Sequence, residues 1–346
     1  MAEITTYVAG ALAELASGST WLWILIGTFM GIIVGAIPGF TSSMATGILL
    51  PVTFALSPVN ALVFLISVYI ATIYGGSITA ILLNTPGAPE SSASTFDGYK
   101  MTLKGQGCEA LGIAFCSSAC GGLISYIFMI FAMMPIARMA VKIGPTEMFL
   151  IALMGVSILA VLSSSANVPK TLLSGFVGLL IGTMGMTPTG EWRATFGSIY
   201  LAEGVQTVPA IIGFFAMSEV FSMVGKEFIV NRDAQTKTSV KKIIKGFGMA
   251  LRYPKTLLTC SLTGMVIGAI PAAGGTAFTA YGMTKKSSKH GDEFGTGYPE
   301  GIAAPESANN ACTGGALMTT LALGVPGSST CAILLGALSI QGLTPG

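Results

Sequence analysis

Four short stretches of this 346-residue sequence combine proline or glycine with hydroxyl and amide residues in apolar surroundings. They are Pro38-Gly39-Phe40-Thr41-Ser42-Ser43, Asn84-Thr85-Pro86-Gly87, Pro271-Ala272-Ala273-Gly274-Gly275-Thr276 and Gly324-Val325-Pro326-Gly327-Ser328-Ser329-Thr330. At such a break one helix ends and another begins, because proline has no N–H to donate and glycine reverses the chain cheaply. The free N–H groups of the new helix carry partial positive charge and suit carboxylate oxygens. The freed carbonyls of the preceding helix, with Asn, Ser and Thr oxygens, suit a hard cation such as Na⁺. The expected substrate contacts are therefore Pro38, Gly39, Thr41, Ser42, Asn84, Thr85, Pro86, Gly87, Gly274, Gly275, Pro326, Gly327 and Ser328. Asn309 and Asn310 join them, since unpaired amides are costly in an apolar medium. Asn84, Asn310 and Thr276 are the expected ion ligands. A plain kink is the competing reading for any one segment. The nearby acids Glu90, Asp97, Glu300 and Glu306 read mainly as solvated loop carboxylates, with ion ligation as the alternative.

Other chemistries lack their residues. The sequence has one histidine, His290, so neither a His-based metal cluster nor a Ser-His-Asp triad can be assembled. It contains no GxxxxGK[ST] phosphate loop and no GxGxxG fingerprint. The six cysteines form no CxxC pair, and most sit in apolar runs as small hydrophobes. These absences point away from an enzyme and from a bound cofactor or metal, leaving a coupling ion, Na⁺ or H⁺, as the small partner.

The elements that position the breaks follow from composition. Apolar residues make up 52% and charged residues 9%, too few charges to cover a soluble surface of this size. Apolar runs at 21–37, 58–74, 109–134, 147–164, 170–187, 207–225, 256–271, 307–323 and 329–341 approach or reach membrane-spanning length. The fold expected is an all-α, polytopic integral membrane protein. The segments Gly75–Pro89 and Pro271–Gly282 read as interrupted or re-entrant helices, which are tolerated at membrane depth where they line a cavity. Gly27-xxx-Gly31-xxx-Gly35 and Gly264-xxx-Gly268 read as surfaces for close helix packing.

The breaks repeat in order. Met30-Gly-Ile-Ile-Val-Gly-Ala-Ile-Pro38 returns as Thr263-Gly-Met-Val-Ile-Gly-Ala-Ile-Pro271, and Gly75-Gly76 before Asn84–Gly87 returns as Gly314-Gly315 before Gly324–Ser328. Paired Gly/Pro-interrupted segments in two halves point to a secondary transporter's binding site. Residues 1–225 read as a first transmembrane repeat, 226–255 as a basic linker, and 256–346 as the start of a second repeat that should continue past Gly346. Eight of the 17 Lys and Arg residues fall within 226–255, which the positive-inside rule places in the cytoplasm. A basic stretch beside spans requires no nucleic acid.

At these residues the sequence resembles the large membrane subunit of the tripartite tricarboxylate transporters, the TctA family. The resemblance is carried by Gly35-Ala36-Ile37-Pro38-Gly39, Leu49-Leu50-Pro51, Tyr74 through Gly87, Asp97-Gly98-Tyr99, Phe294 through Gly297, Glu300 through Ala311, and Leu323 through Gly327. It implies a multi-pass carrier of the bacterial inner membrane for citrate-like tricarboxylates or related small carboxylates, driven by an ion gradient. Its implied partners are a small membrane subunit and a periplasmic substrate-binding protein, and a homodimer is compatible with it. Pro271-Ala272-Ala273-Gly274 departs from the Pro38-Gly39 pattern. The alternative function is a passive anion channel or a non-transporting membrane scaffold.

Overall fold

A computed structural model describes residues 2–16, 18–140, 168–187, 191–201, 239–270 and 275–343, with isolated residues between them. The spans expected at 147–164 and 207–225 lie almost wholly outside the described residues, as do Pro271–Gly274. In chain order the helices are α1 (Ala2–Ala16), α2 (Gly18–Gly35), α3 (Ser42–Leu49), α4 (Pro58–Leu83), α5 (Thr95–Leu103) and α6 (Gly107–Ala140). They continue with α7 (Val168–Gly182), α8 (Val240–Ala250), α9 (Pro254–Gly268), α10 (Thr276–Ser287), α11 (Glu300–Leu323) and α12 (Ser329–Ile340). A 3-10 turn, Pro89–Ser94, leads into α5, and Gly185–Met186 pairs with Trp192–Arg193 in a two-residue antiparallel ladder.

The chain is an all-α, multi-pass membrane protein. Among the described residues α2, α4 and Gly107–Ile136 of α6 are long and apolar enough to cross a bilayer. Large apolar side chains face outward, among them Leu25 and Phe29 of α2, Leu123 and Phe131 of α6, and Leu180 of α7. Polar side chains, Glu306, Asn310, Thr313 and Thr320 of α11 among them, lie inside. That inversion of the soluble pattern is what lipid as the solvent requires.

Helix direction follows from glycine contacts. A methyl group on Gly31 would sit 2.7 Å from the Val68 carbonyl oxygen, and one on Gly35 would sit 2.3 Å from that of Thr72. Gly27 meets Phe64 and Ser67 in the same way, so α2 and α4 run parallel, their backbones nearly touching. Gly264 abuts Ala308 and Gly268 abuts Cys312, so α9 and α11 also run parallel. Gly121 abuts Ser307 and Ser125 meets Gly314, which sets α6 parallel to α11. The α4 helix runs the other way: Ile81 shares a core with Ile302 and Ala303, while Val68, Tyr69 and Ile73 share one with Ala316 and Leu317.

Two expected boundaries are displaced. The α4 helix continues through Gly75 and Gly76 to Leu83, so the break is confined to Asn84–Ala88. The paired glycines serve close packing: Gly75 lies against Gly35, and Gly76 against Ser91 and Gly87. Unwinding there would free backbone groups that a helix satisfies. The α11 helix begins at Glu300 rather than 307, and its polar first half is enclosed by α6, α9 and the 3-10 turn instead of lipid. Part of the basic 226–255 stretch is α8, whose Gly246 and Ala250 pack inward. Lys241, Lys242 and Lys245 stay exposed, and the Lys245 ammonium lies 3.6 Å from Glu109 of α6.

Candidate functional site

Two of the sequence-level breaks meet. Thr41 caps α3, its hydroxyl accepting from the Met44 N–H at 3.3 Å, and Ser328 caps α12, accepting from the Cys331 N–H at 3.2 Å. Both caps are short hydroxyl residues in extended backbone, the local reason each helix starts there. The Ser42 and Thr330 hydroxyls, first and second residues of their helices, lie 3.0 Å apart in a buried contact. The Tyr69 hydroxyl of α4 lies 3.2 Å from Ser328. Two helix N-termini therefore converge, each with free N–H groups and positive partial charge. Such a pair can hold an anionic carboxylate without a buried lysine or arginine.

The other predicted residues take distinct places. Pro38 and Gly39 form the half-buried turn before α3, with Gly39 at φ 82°. Gly87 is buried between Gly35 and Gly76, and its N–H donates to the Gly76 carbonyl at 3.1 Å. Gly327 packs on Ala316, its N–H donating to the Thr320 hydroxyl at 3.2 Å. Thr85 and Pro86 are half-buried, and the Thr85 N–H donates to the Thr79 carbonyl at 3.3 Å. Pro326 is half-buried beside Gly327. Gly275 opens α10 at φ 77°, and the Thr276 hydroxyl contacts the Cys312 sulfur at 3.5 Å. Gly274 lies outside the described residues.

Asn84 is exposed and ends α4 in the left-handed region, at φ 56°. It lines an open cleft of about 550 Å³ with Tyr99 and Lys100 of α5 and Tyr281 and Lys285 of α10. Asn310 lies elsewhere. Ile81, near the end of α4, is level with Ile302, so Asn310 is about two turns, roughly 12 Å, farther along α11. The structure does not bring Asn84 and Asn310 together.

The acids depart most from expectation. Asp97, Glu300 and Glu306 are buried, not solvated. Asp97 accepts from the Tyr281 hydroxyl at 2.9 Å and from the N–H groups of Gly295, Gly297 and Tyr298 at 2.9, 2.8 and 2.7 Å. Glu300 accepts from Thr256 at 2.6 Å and Ser288 at 2.7 Å. Glu306, fully buried, accepts from the Ser94 hydroxyl and from Ser118 at 2.8 Å. Ser94 and Ser118 were not among the expected ligands, and Glu306 entered only as the alternative to a solvated loop carboxylate. The available signal was a carboxylate beside Pro305 in the alanine-rich run Ile302–Ala311, where a buried charge would need a partner. Asn309 and Asn310 are 4% and 1% exposed, and neither Nδ2 has a hydrogen-bond partner. The Asn310 carbonyl oxygen also lacks one. Among the described residues no group of three His, Cys, Asp or Glu side chains is disposed to hold a metal.

Residues 21–346 of the chain match the model of the Tripartite tricarboxylate transporter TctA family. The chain belongs to that family. It is a transporter family rather than an enzyme family. The chain is 34% identical over 331 residues to the "Uncharacterized 52.8 kDa protein in TAR-I ttuC' 3'region" of Agrobacterium vitis, covering 94% of this chain and 64% of that protein. It is 41% identical over 85 residues to the "Uncharacterized protein in TAR-II ttuC' 3'region" of the same organism, covering 24% of this chain and 35% of that protein. The chain thus spans less than two thirds of the length of the first relative. No solved structure matches it.

Proposed function

We propose that this chain is the permease part of an ion-gradient-driven, binding-protein-dependent uptake system for tricarboxylates such as citrate, or related small carboxylates. The observation that carries the reading is the buried Ser42–Thr330 contact, which joins the N-termini of α3 and α12. A carboxylate lying there accepts from free backbone N–H groups and from hydroxyls. The reversed direction of α4 relative to α11, each with a parallel companion helix, supports two inverted halves with the substrate between them. Movement of one half against the other then exposes the tips alternately to the two sides.

The basic residues of α8, with Lys100 and Lys285 at the cleft, mark the cytoplasmic end by the positive-inside rule. The partners in this reading are a small membrane subunit and a periplasmic binding protein, in the bacterial inner membrane. The test is uptake of radiolabelled citrate and shorter dicarboxylates into vesicles holding the native protein with those partners, with and without Na⁺ and H⁺ gradients. Saturable, gradient-dependent uptake is expected, and Ser42→Ala with Thr330→Val should raise the half-saturating concentration several-fold. Flux that rises linearly with substrate and ignores both gradients would replace the carrier with a channel.

A further inference from the structure

The converging tips leave the most deeply buried acid of α11 unused. Glu306 has no exposed surface, its carboxylate is held only by hydroxyls, and no Lys, Arg or His forms an ion pair with it among the described residues. The Ser77 hydroxyl of α4 also approaches it, without hydrogen-bond geometry. An isolated buried carboxylate is costly, by several kcal/mol even after relaxation. Something of positive charge must accompany it, a proton or a cation.

The surroundings choose between these. Asn310 follows Glu306 by one helical turn and shares its face of α11; its amide is 1% exposed, with neither oxygen nor nitrogen paired. On the 3-10 turn opposite, Ser91 precedes Ser94 by three residues, one turn, so their hydroxyls share a face. Ser94 reaches Glu306, while the buried Ser91 oxygen has no partner and lies against Gly76. A proton would neutralise Glu306 but leave the Asn310 and Ser91 oxygens unsatisfied. Water would satisfy those oxygens and leave the charge. A proton and a water together would do both with two occupants; one monovalent cation does both alone and leaves the site neutral, because a single carboxylate is present.

We propose that Glu306, Ser91, Ser94 and Asn310 bind a sodium ion, and that this is the ion whose gradient drives uptake. The second half of the statement rests on the carrier reading; the first does not. The ligands are all oxygens, from a carboxylate, hydroxyls and an amide, the donor set of a hard cation. Asn84 and Thr276, the ion ligands expected from sequence, take no part. The unpaired Nδ2 of Asn310 leaves room for an acceptor beside the ion, as a carboxylate substrate would supply.

The test is radiolabelled sodium binding, and thermal stability in NaCl against KCl and choline chloride at equal ionic strength, on the purified native protein. Saturable binding and a rise in Tm of several degrees in NaCl alone are expected. Glu306→Gln should abolish both, and Ser91→Ala and Asn310→Ala should each weaken binding roughly tenfold, a loss of one buried ligand. A folded Glu306→Gln protein with unchanged sodium binding overturns the site. So does a wild-type protein stabilised equally by all three salts, or one that responds to pH and not to sodium. Should Glu306→Gln fail to fold, unchanged affinity in both Ser91→Ala and Asn310→Ala overturns it equally. Sodium binding lost in Glu306→Gln, beside wild-type vesicles that take up no carboxylate saturably, would sink the carrier reading and leave the ion site standing.

Discussion

Replacing Asp97 tests how the two ends of the sequence are tied together. The residue lies on α5, yet every partner of its carboxylate comes from residues 281–298. One oxygen, Oδ1, accepts from Gly295, Gly297 and Tyr298; the other accepts from Tyr281 and more distantly from Gly295. The three N–H groups fall in the turn that opens α11, where Gly295 and Gly297 have φ of 89° and 98° and aim successive amides at one point. Hydrogen bonds to a charged group contribute about 1.5–3 kcal/mol each, and a buried donor left unpaired costs about 1–3 kcal/mol. Asp97→Ala removes the acceptor of three N–H groups and a buried phenol, of which the exposed Gly295 N–H can turn to water and the half-buried Gly297 and Tyr298 N–H groups only in part. A loss of about 5 kcal/mol is expected, allowing for non-additivity among neighbours, which is a large part of a typical folding free energy. Asp97→Asn keeps an acceptor for the Oδ1 partners and should cost about 2 kcal/mol. Tyr281→Phe, which removes one donor, should cost about 1.5 kcal/mol and less than additively in the Asp97→Asn background. Thermal unfolding of detergent-purified protein, read as monodisperse protein remaining after heating, ranks the variants. A Tm for Asp97→Ala within a degree of wild type would refute the assignment of this carboxylate as the clamp.

Other expectations use neighbouring positions as controls. A methyl on Gly121 would lie 2.0 Å from the Ser307 carbonyl oxygen, whereas one on Gly122 meets nothing within 4 Å; Gly121→Ala should destabilise by about 1–3 kcal/mol and Gly122→Ala should be neutral or stabilise by up to about 1 kcal/mol, both read by the same thermal assay. Gly35→Val, driven into Thr72, should abolish the α2–α4 contact and lower the yield of folded protein sharply, checked by size-exclusion profile. Lys245→Gln should shift stability by less than about 1 kcal/mol, because the lysine of that pair is 65% exposed. Neutralising Lys100 and Lys285 together should weaken carboxylate affinity from the cleft side several-fold at low ionic strength, and raised salt should shrink the difference, measured as substrate efflux from loaded vesicles.

The break points were legible because proline and glycine act locally. Thr41 and Ser328 cap helices, and Asn84 and Gly324 end them with positive φ, each for a reason contained in its own few residues. The packing role of Gly27, Gly31 and Gly35 was legible too, since a small residue every fourth position makes one smooth stripe. Gly75-Gly76 misled for the same local reason: the pair permits unwinding, and only the arrival of Gly35 and Gly87 against it shows that the helix holds.

Sequence by itself therefore determined that the chain lives in lipid, where its helices break, and which small residues let helices touch. Those follow from composition and from backbone preferences that act within a turn. Tertiary structure alone decided which breaks meet and which polar groups go without partners. Ser42 and Thr330 are 288 positions apart, and Ser94 and Glu306 are 212 apart. A carboxylate assigned to a loop beside a break reads as solvated until α6, α9 and the 3-10 turn close around it, since burial is set by what packs against a residue and not by its neighbours in the chain.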